Sequence, residues 1–365
     1  MTEMIRDRRY FHMNPELDND TVNTAEYIKN RLDGLDCRVF SPIPNSVCAF
    51  FDFGREETAA FRSDMDALPV TEKTGLEFAS KVNGRMHACG HDGHMAMLLE
   101  FARRLGGLAG NAKRNALLIF QPAEETTGGA KRICETGIFE KYNVMRVFGY
   151  HIVPDVEKGV IASRPGELMA KSCEVTLDIH GVPAHIGKAA EGRDALYAAA
   201  MFVCGSYEDV SREMADVRFK LLKFGRLTSG SARNTISGIS HLEGSIRCYS
   251  QRDFERIRDI VKLRAEKTDA ALGVKTELGF SEGYLPVCND RALYKRVCAA
   301  LGNVSELPEP RMIAEDFSYY QEKAPGVFLF LGSGSGKPLH SDEYDFDECI
   351  LETGVKGYEK LILME

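Results

Sequence analysis

The 365-residue chain has no apolar run close to the ~18 residues that a membrane-spanning helix needs. Its first nine residues contain no apolar core segment, so we expect no secretory signal. A net charge of −8 disfavours broad binding to nucleic acid or to anionic membranes. The ten cysteines include no C-x-x-C pair, which predicts reduced thiols and a cytoplasmic protein. The patterns H-E-x-x-H and G-x-S-x-G are absent as well.

The length and the order of apolar runs predict an α/β protein of two domains. Amphipathic helical patterns alternate with short apolar runs, and the clearest helix covers 94–105. The runs that we expect to be strands are 47–53, 58–62, 116–120, 144–150 and 327–331. Residues 1–167 and 282–365 are therefore predicted to form an α/β/α sandwich around a mixed sheet.

The middle of the chain has a different pattern. Residues 173–180 and 241–250 alternate strictly between apolar and polar side chains, which is typical of strands with one exposed face. With the helical patterns between them, the order becomes β-α-β-β-α-β. This order predicts a ferredoxin-like domain, inserted into the sandwich at about 168–281.

Polar side chains follow three of the predicted strands. Asp64 and Asp66 come after the second run, Glu124 and Glu125 after the third, and His151 after the fourth. Ligands of open α/β sheets bind beyond the carboxyl ends of the strands. We therefore expect four carboxylates and one histidine to meet at one rim of the sheet.

A second polar cluster precedes the 94–105 helix. Three of the nine histidines, one cysteine and one aspartate fall within residues 86–94, and His340 follows the last apolar run. Taken singly, Cys89 suits a buried apolar position, and His151 or His340 an ordinary polar one. Taken together they predict a centre for Zn²⁺, Mn²⁺, Co²⁺ or Ni²⁺. His91 and His94 are three residues apart, so either could be the ligand.

Two adjacent glutamates indicate a mechanism. A bound divalent metal lowers the pKa of its water toward ~7. One glutamate can hold metal while the other takes the proton of the water and passes it to a leaving amine. Such a site hydrolyses an amide or an ester.

Seven ordered motifs, spread over nearly the whole chain, resemble one family of metal amidohydrolases. The family includes carboxypeptidase G, aminoacylase and hippurate hydrolase, and the chain is most similar to its hippurate hydrolase and auxin-conjugate amidohydrolase branch. The motifs are RYFHMNPEL (9–17), RSDMDALP (62–69), MHACGHDGH (86–94), FQPAEE (120–125), GVPAH (181–185), AEDFS (314–318) and LHS (339–341).

The resemblance implies a site with two divalent metal ions, in which the Cys89 thiolate bridges the pair. It implies Glu124 as the general acid and base, and Asp66 as the carboxylate that orients a ligand histidine. The metal ligands that it implies are Cys89, His91, Glu125, His151 and His340.

The resemblance also implies that the inserted domain is a lid that carries the interface of a homodimer. On it, His185 matches the residue that stabilises the oxyanion, often supplied across the dimer. Asn234 and Arg247 match residues that contact substrate, with Arg247 facing the α-carboxylate. Arg233 lies in a segment more similar to aminobenzoyl-glutamate hydrolases, where it could bind a second carboxylate.

The activity implied is hydrolysis of an N-acyl amino acid (N-acetyl, N-benzoyl or aminobenzoyl-glutamate-like) into a carboxylic acid and a free amino acid. The alternative on the same scaffold is a dipeptidase or a carboxypeptidase. A binding protein without catalysis would lack a ligand or the base, whereas all of these positions are present. Thr126 and Thr127 stand where a glycine run is usual, and this could reshape the pocket.

Overall fold

The computed structural model describes residues 1–365 as fourteen strands, ten α-helices and two short 3₁₀ helices. The strands are β1 Arg38–Phe40, β2 Val47–Phe51, β3 Thr58–Asp64, β4 Asn115–Gln121, β5 Val144–Val153, β6 Ile161–Ser163, β7 Gly166–Met169, β8 Lys171–His180, β9 Lys220–Ser229, β10 Ile239–Cys248, β11 Lys275–Phe280, β12 Val287–Asn289, β13 Val304–Glu306 and β14 Gly326–Gly332. The helices are α1 Glu3–Met13, α2 Val22–Leu32, α3 His91–Leu108, α4 Gly129–Glu135, α5 Ile138–Lys141, α6 Ala195–Glu213, α7 Gln251–Leu272, α8 Arg291–Leu301, α9 Ser318–Gln321 and α10 Leu351–Leu363.

The chain divides into two compact units. The first comprises Met1–Leu168, Cys288–Pro310 and Asp316–Glu365, and the second comprises Met169–Val287 and Arg311–Glu315. The second unit thus continues six residues beyond the 281 expected from the sequence and adds a short segment from further along the chain.

An eight-stranded mixed sheet forms the centre of the first unit, which confirms the α/β prediction. Its strand order is β1-β2-β4-β3-β5-β14-β6-β13. Strands β4, β3, β5 and β14 run parallel, whereas β1, β2 and β6 each pair antiparallel with a neighbour. Every residue of β3, β4 and β14 is buried, as expected of parallel strands covered on both faces. Helix α3 packs against β3, α1 and α10.

Two of the element boundaries that differ from the sequence expectation in this unit affect candidate ligands. Helix α3 begins at His91 rather than at residue 94, and β5 continues past Tyr150 to Val153. Both extensions consist of buried residues, and His91 and His151 lie in them. Polar side chains interrupt the apolar sequence pattern in both extensions, so the pattern predicts shorter elements. Tertiary contacts nevertheless bury these side chains.

The second unit has the predicted β-α-β-β-α-β order, and its antiparallel sheet has the strand order β11-β8-β10-β9. This is the ferredoxin-like arrangement. In β8 the apolar side chains of Cys173, Val175, Leu177 and Ile179 are buried, whereas the residues between them are partly or fully exposed. They join a core with side chains of α6 and α7, so these helices cover one face of the sheet.

None of the helices has both the length and the apolar character that crossing a membrane would require. All ten cysteines are free thiols: five are buried, two are partly buried, and Cys204, Cys288 and Cys349 are exposed.

Candidate metal centre

The segment that joins Cys89 to His91 depends on a glycine. Gly90 precedes α3 with φ of 83°, a left-handed conformation that side chains rarely adopt. A Cβ at this position would lie 3.2 Å from the Tyr344 hydroxyl. The tight turn places the Cys89 thiol directly before the first turn of α3, where His91 lies.

Hydrogen bonds distinguish the two candidate histidines of this helix. His94 donates from Nδ1 to Asp64 at 2.7 Å, and its Nε2 accepts from the Ile152 amide at 2.8 Å. His91 donates from Nδ1 to the Asp66 carbonyl at 2.8 Å, and its buried Nε2 has no hydrogen-bond partner. Only His91 therefore keeps a lone pair available, so the geometry favours it over His94 as a ligand.

His151 lies within β5 rather than after its end. Its Nδ1 donates to the Ile152 carbonyl at 2.8 Å, and its Nε2 lies 3.4 Å from Cys89 Sγ. The side chain is 7% exposed. His91 and His151 thus share one arrangement, in which a backbone carbonyl fixes the ring and leaves Nε2 directed into the centre.

Glu124 and Glu125 occupy a turn that follows β4. Ala123 enters this turn with φ of 60°, a strained conformation for alanine. The Asp66 carboxylate accepts from both glutamate amides at 3.0 Å. The Asp66 carboxylate thus fixes the glutamate turn, and its Oδ1 lies 3.9 Å from His91 Nδ1, while its backbone carbonyl accepts the hydrogen bond from that ring.

His340 comes from the loop after β14. It has φ of 65°, and its amide donates to the Ala88 carbonyl at 2.8 Å. Its Nε2 lies 3.5 Å from Glu125 Oε1, and its side chain is 54% exposed. Among the five candidate ligands this is the most exposed side chain, so solvent reaches the centre from its side.

The five side chains form two overlapping groups that share the thiol of Cys89. Its Sγ lies with ligand atoms of His91 and His151 in one group, and with those of Glu125 and His340 in the other; within each group all ligand atoms are within 4.8 Å of one another. A third group of the same dimensions contains His91, Glu124 and Glu125. The Glu124 carboxylate is therefore adjacent to both ligand groups.

The charges of this centre fit a divalent metal. Burial raises the pKa of the Cys89 thiol well above its ordinary value, and the neighbouring Glu125 and Glu124 carboxylates raise it further. Burial lowers the pKa of His91 and His151, which favours their neutral, metal-binding form. His91 Nε2 and Glu125 Oε1 are buried without a hydrogen-bond partner, which is costly unless another group satisfies them. Thiolate, imidazole and carboxylate together suit Zn²⁺, Mn²⁺, Co²⁺ or Ni²⁺.

The predicted lid residues all lie in the second unit. The Asn234 carbonyl accepts from the Ile186 amide at 3.0 Å, so the loops of Asn234 and His185 are adjacent. His185, Asn234 and Arg233 are exposed. Arg247 lies in β10, half-buried and without a hydrogen bond or an ion pair, and burial lowers its pKa.

A buried arginine near the centre was not singled out from the sequence. Arg62 is wholly enclosed, and its guanidinium contacts Asp64, Gln121 and Asp316 at 2.8 to 2.9 Å. Through Asp64 it supports His94, which holds β5 beside His151. The sequence signal for this role is an arginine within the apolar 58–62 run. A charge buried in a strand requires partners of opposite charge, so it indicates a buried polar network.

The N-terminal motif is the second feature without a role assigned from the sequence. His12 donates to Asp92 at 2.9 Å, and its other nitrogen lies 3.2 Å from Glu72. Burial alone would lower the pKa of His12, but the hydrogen bonds to Asp92 and Glu72 outweigh it and raise the pKa from 6.5 to about 9. His12 is therefore a buried cation at neutral pH.

We expect this histidine to make the stability of the protein fall at alkaline pH. Because the folded pKa lies above the unfolded one, the contribution is complete below pH 6.5 and is lost as the pH rises through about 9. Its size is on the order of 3 kcal/mol. Wild type should therefore have a larger free energy of unfolding than His12→Asn at pH 6. At pH 9.5 this difference between the two proteins should be smaller. His241→Asn is the control, because His241 also contacts two carboxylates but is solvent-screened. A difference for His12→Asn that is constant with pH would contradict the assignment.

Comparisons with known proteins agree with this fold. The chain is 34% identical to an uncharacterized hydrolase of Staphylococcus saprophyticus, over 97% of this chain and 95% of the relative. It is 28% identical to a Bacillus subtilis dinuclear metal binding peptidase from the M20 family, with a TM-score of 0.87 over 99% of this chain and 96% of that one. An aminobenzoyl-glutamate utilization protein from Klebsiella pneumoniae shares the fold, with 21% identity and a TM-score of 0.69 over 99% and 95%. The sequence model of peptidase family M20/M25/M40 matches residues 60–364. The chain belongs to this family of hydrolytic enzymes.

Proposed function

We propose that the protein hydrolyses the amide bond of N-acyl amino acids with two divalent metal ions bound. The observation that carries the proposal is the pair of ligand groups that share Cys89, with Glu124 adjacent to both. Cys89, His91 and His151 would hold one ion, and Cys89, Glu125 and His340 would hold the other. The Bacillus subtilis relative, described as dinuclear, supports two ions rather than one.

When bound, the two ions supply Lewis acidity, which polarises the acyl carbonyl and makes water more acidic. The chain itself supplies proton transfer. The Glu124 carboxylate accepts a proton from the attacking water and donates it to the amine nitrogen that leaves. Asp66 holds the amides of Glu124 and Glu125, so it fixes the base and a ligand in one turn.

The substrate class follows from the resemblance and from the inserted unit. An N-acyl amino acid presents a free carboxylate, and Arg247 forms no hydrogen bond or ion pair within the protein, although the Glu174 carboxylate partly offsets the effect of burial on its pKa. We assign Arg247 to the substrate carboxylate, with Asn234 as a further contact. Three further assignments stay predictions from the motifs. They are the binding of a second carboxylate by Arg233, the stabilisation of the oxyanion by His185, and membership of the hippurate hydrolase branch.

A substrate panel tests the proposal. The protein is stripped of metal with chelator and assayed with N-acetyl, N-benzoyl and aminobenzoyl amino acids and with dipeptides, before and after addition of Mn²⁺ or Zn²⁺. We expect release of amino acid from the acyl substrates only after metal addition. Preference for dipeptides would instead indicate a peptidase, and equal turnover in chelator would overturn the metal-dependent mechanism.

We also propose a homodimer formed through the inserted unit. Strand β9 lies at the edge of its sheet, where its outer hydrogen-bonding groups are open to another strand. Beside it, α6 exposes large apolar side chains, among them Leu196, Tyr197 and Met201, each 46 to 54% exposed. Two copies could bury these surfaces against each other about a twofold axis.

The mass in solution tests this interface. We expect wild type to have twice the mass of one chain by light scattering, and the double variant Tyr197→Glu with Met201→Glu to have the mass of one chain. Leu263→Glu is the matched control, because Leu263 is 45% exposed on α7 in the same unit. A monomeric wild type, or a control that dissociates equally, would contradict the interface.

A further inference from the structure

Arg8, on α1, is a second buried cation of the N-terminal segment, beside His12. Its side chain is 1% exposed, and its guanidinium lies 4.8 Å from the ring centre of Phe78 and 4.4 Å from that of Phe346. Two aromatic rings thus contact the guanidinium, and its N–H groups remain available for hydrogen bonding.

Each edge of the guanidinium contacts a carboxylate. Nε donates to Asp92 at 2.9 Å, Nη2 donates to Asp345 at 2.9 Å, and Nη1 donates to Glu348 at 3.2 Å. Asp92 follows His91 in the first turn of α3, whereas Asp345 and Glu348 follow His340 in the loop before α10. One side chain therefore joins two segments that are more than 200 residues apart in sequence.

The loop on the far side of this connection carries His340, the most exposed candidate ligand. The segment is held by the Ala88 carbonyl, by a hydrogen bond from the Lys73 amide to the Asp342 carbonyl, by the buried Tyr344 and by an exposed pair between the side chains of Lys73 and Asp342. Exposed ion pairs contribute little. The Arg8 contact with Asp345 is more enclosed, since the Asp345 side chain is 27% exposed and that of Arg8 is 1% exposed.

We propose that Arg8 is a positioning residue of the metal centre, which fixes the loop of His340 relative to the helix of His91. The proposal rests on the proposed function, since it assumes that Glu125 and His340 hold the second ion. Arg8 touches none of the ligands. It acts through Asp92 at one end and through Asp345 at the other, as an outer residue that orients ligands. The contact with Glu348 is shared with Arg9.

Two variants test the proposal at its two ends. Arg8→Lys keeps the charge but cannot reach three carboxylates with one planar group. Asp345→Ala removes only the loop end and leaves the buried pair of Arg8 with Asp92 intact, so it guards against a variant that fails to fold. Arg9→Met is the matched control, because Arg9 also contacts Glu348 and Phe78 but neither Asp92 nor Asp345.

The readout is titration of the metal-free protein with Co²⁺, followed by its visible spectrum and by the thiolate-to-metal charge-transfer band. In Arg8→Lys and Asp345→Ala we expect the second equivalent of Co²⁺ to bind about 10- to 100-fold more weakly, while the first is unchanged. Turnover should recover at saturating Co²⁺, because the ligands themselves remain. Arg9→Met should bind both equivalents as wild type does.

The outcomes separate this proposal from the proposed function. If wild type binds two equivalents and both folded variants do so with unchanged affinity, the positioning role is overturned and the function stands. Equal weakening of both equivalents, or weakening in Arg9→Met as well, would also overturn it in favour of general destabilisation. If wild type binds two ions but hydrolyses no acyl substrate, the proposed substrate fails and the positioning role is still tested by the Co²⁺ titration.

Discussion

Glu124→Gln is expected to abolish turnover while both metal ions stay bound. The substitution keeps the size of the side chain and removes its ability to accept a proton, so the attacking water loses its base and the leaving amine its acid. General acid–base catalysis typically contributes about 10² to 10⁴ in rate, and kcat should fall by that factor. Metal content by elemental analysis should be unchanged, because Glu125 is the ligand in this turn.

The control for this variant is Glu135→Gln, the same isosteric change at an exposed position at the end of the next helix. It should leave kcat and metal content as in wild type. Undiminished turnover in Glu124→Gln would remove Glu124 from the mechanism. If Glu124→Gln lost one metal ion as well as its activity, Glu124 would be a metal ligand instead of the base.

The second large effect is expected for Cys89→Ala, which should weaken the binding of both metal ions. Cys89 is the single side chain common to the two ligand groups, so its removal takes one donor from each. We expect the affinity for both equivalents to fall by more than the ~10- to 100-fold typical of outer residues. Turnover at micromolar metal should be lost accordingly.

Cys48→Ala makes the same chemical deletion in β2, where the thiol is wholly buried and outside both ligand groups. It should bind two ions as wild type does. If Cys89→Ala loses only one equivalent, the thiolate does not bridge the ions and the two groups are independent.

The resemblance implied the five candidate ligands, whereas the strand ends alone predicted that four carboxylates and His151 would meet at one rim of the sheet. Glu125 lies in the turn after β4, and the loop of His340 follows β14, so the strand order brings these two segments together. Cys89 and His91 were adjacent in a segment with unusually many histidines. These are local patterns, and the structure places the side chains within reach of one another.

Other features could not be read locally. The choice between His91 and His94 depends on the Ile152 amide in β5, which donates a hydrogen bond to Nε2 of His94. The role of the Asp66 carboxylate depends on the amides of a turn 58 residues away. In these cases the decisive partner is far along the chain, and no spacing rule identifies it.

The place of β14 in the sheet has a consequence for how the protein is made. This strand lies between β5 and β6, although more than 160 residues separate it from either in sequence. While the ribosome synthesises the chain, the sheet therefore stays open between β5 and β6 until β14 has emerged. The loop of His340 emerges later still, so a nascent chain cannot complete its second ligand group before that loop has left the ribosome. Non-local pairing of this kind is slow, and it leaves strand edges exposed in the meantime. We therefore expect both metal ions to bind only after the central sheet has been completed.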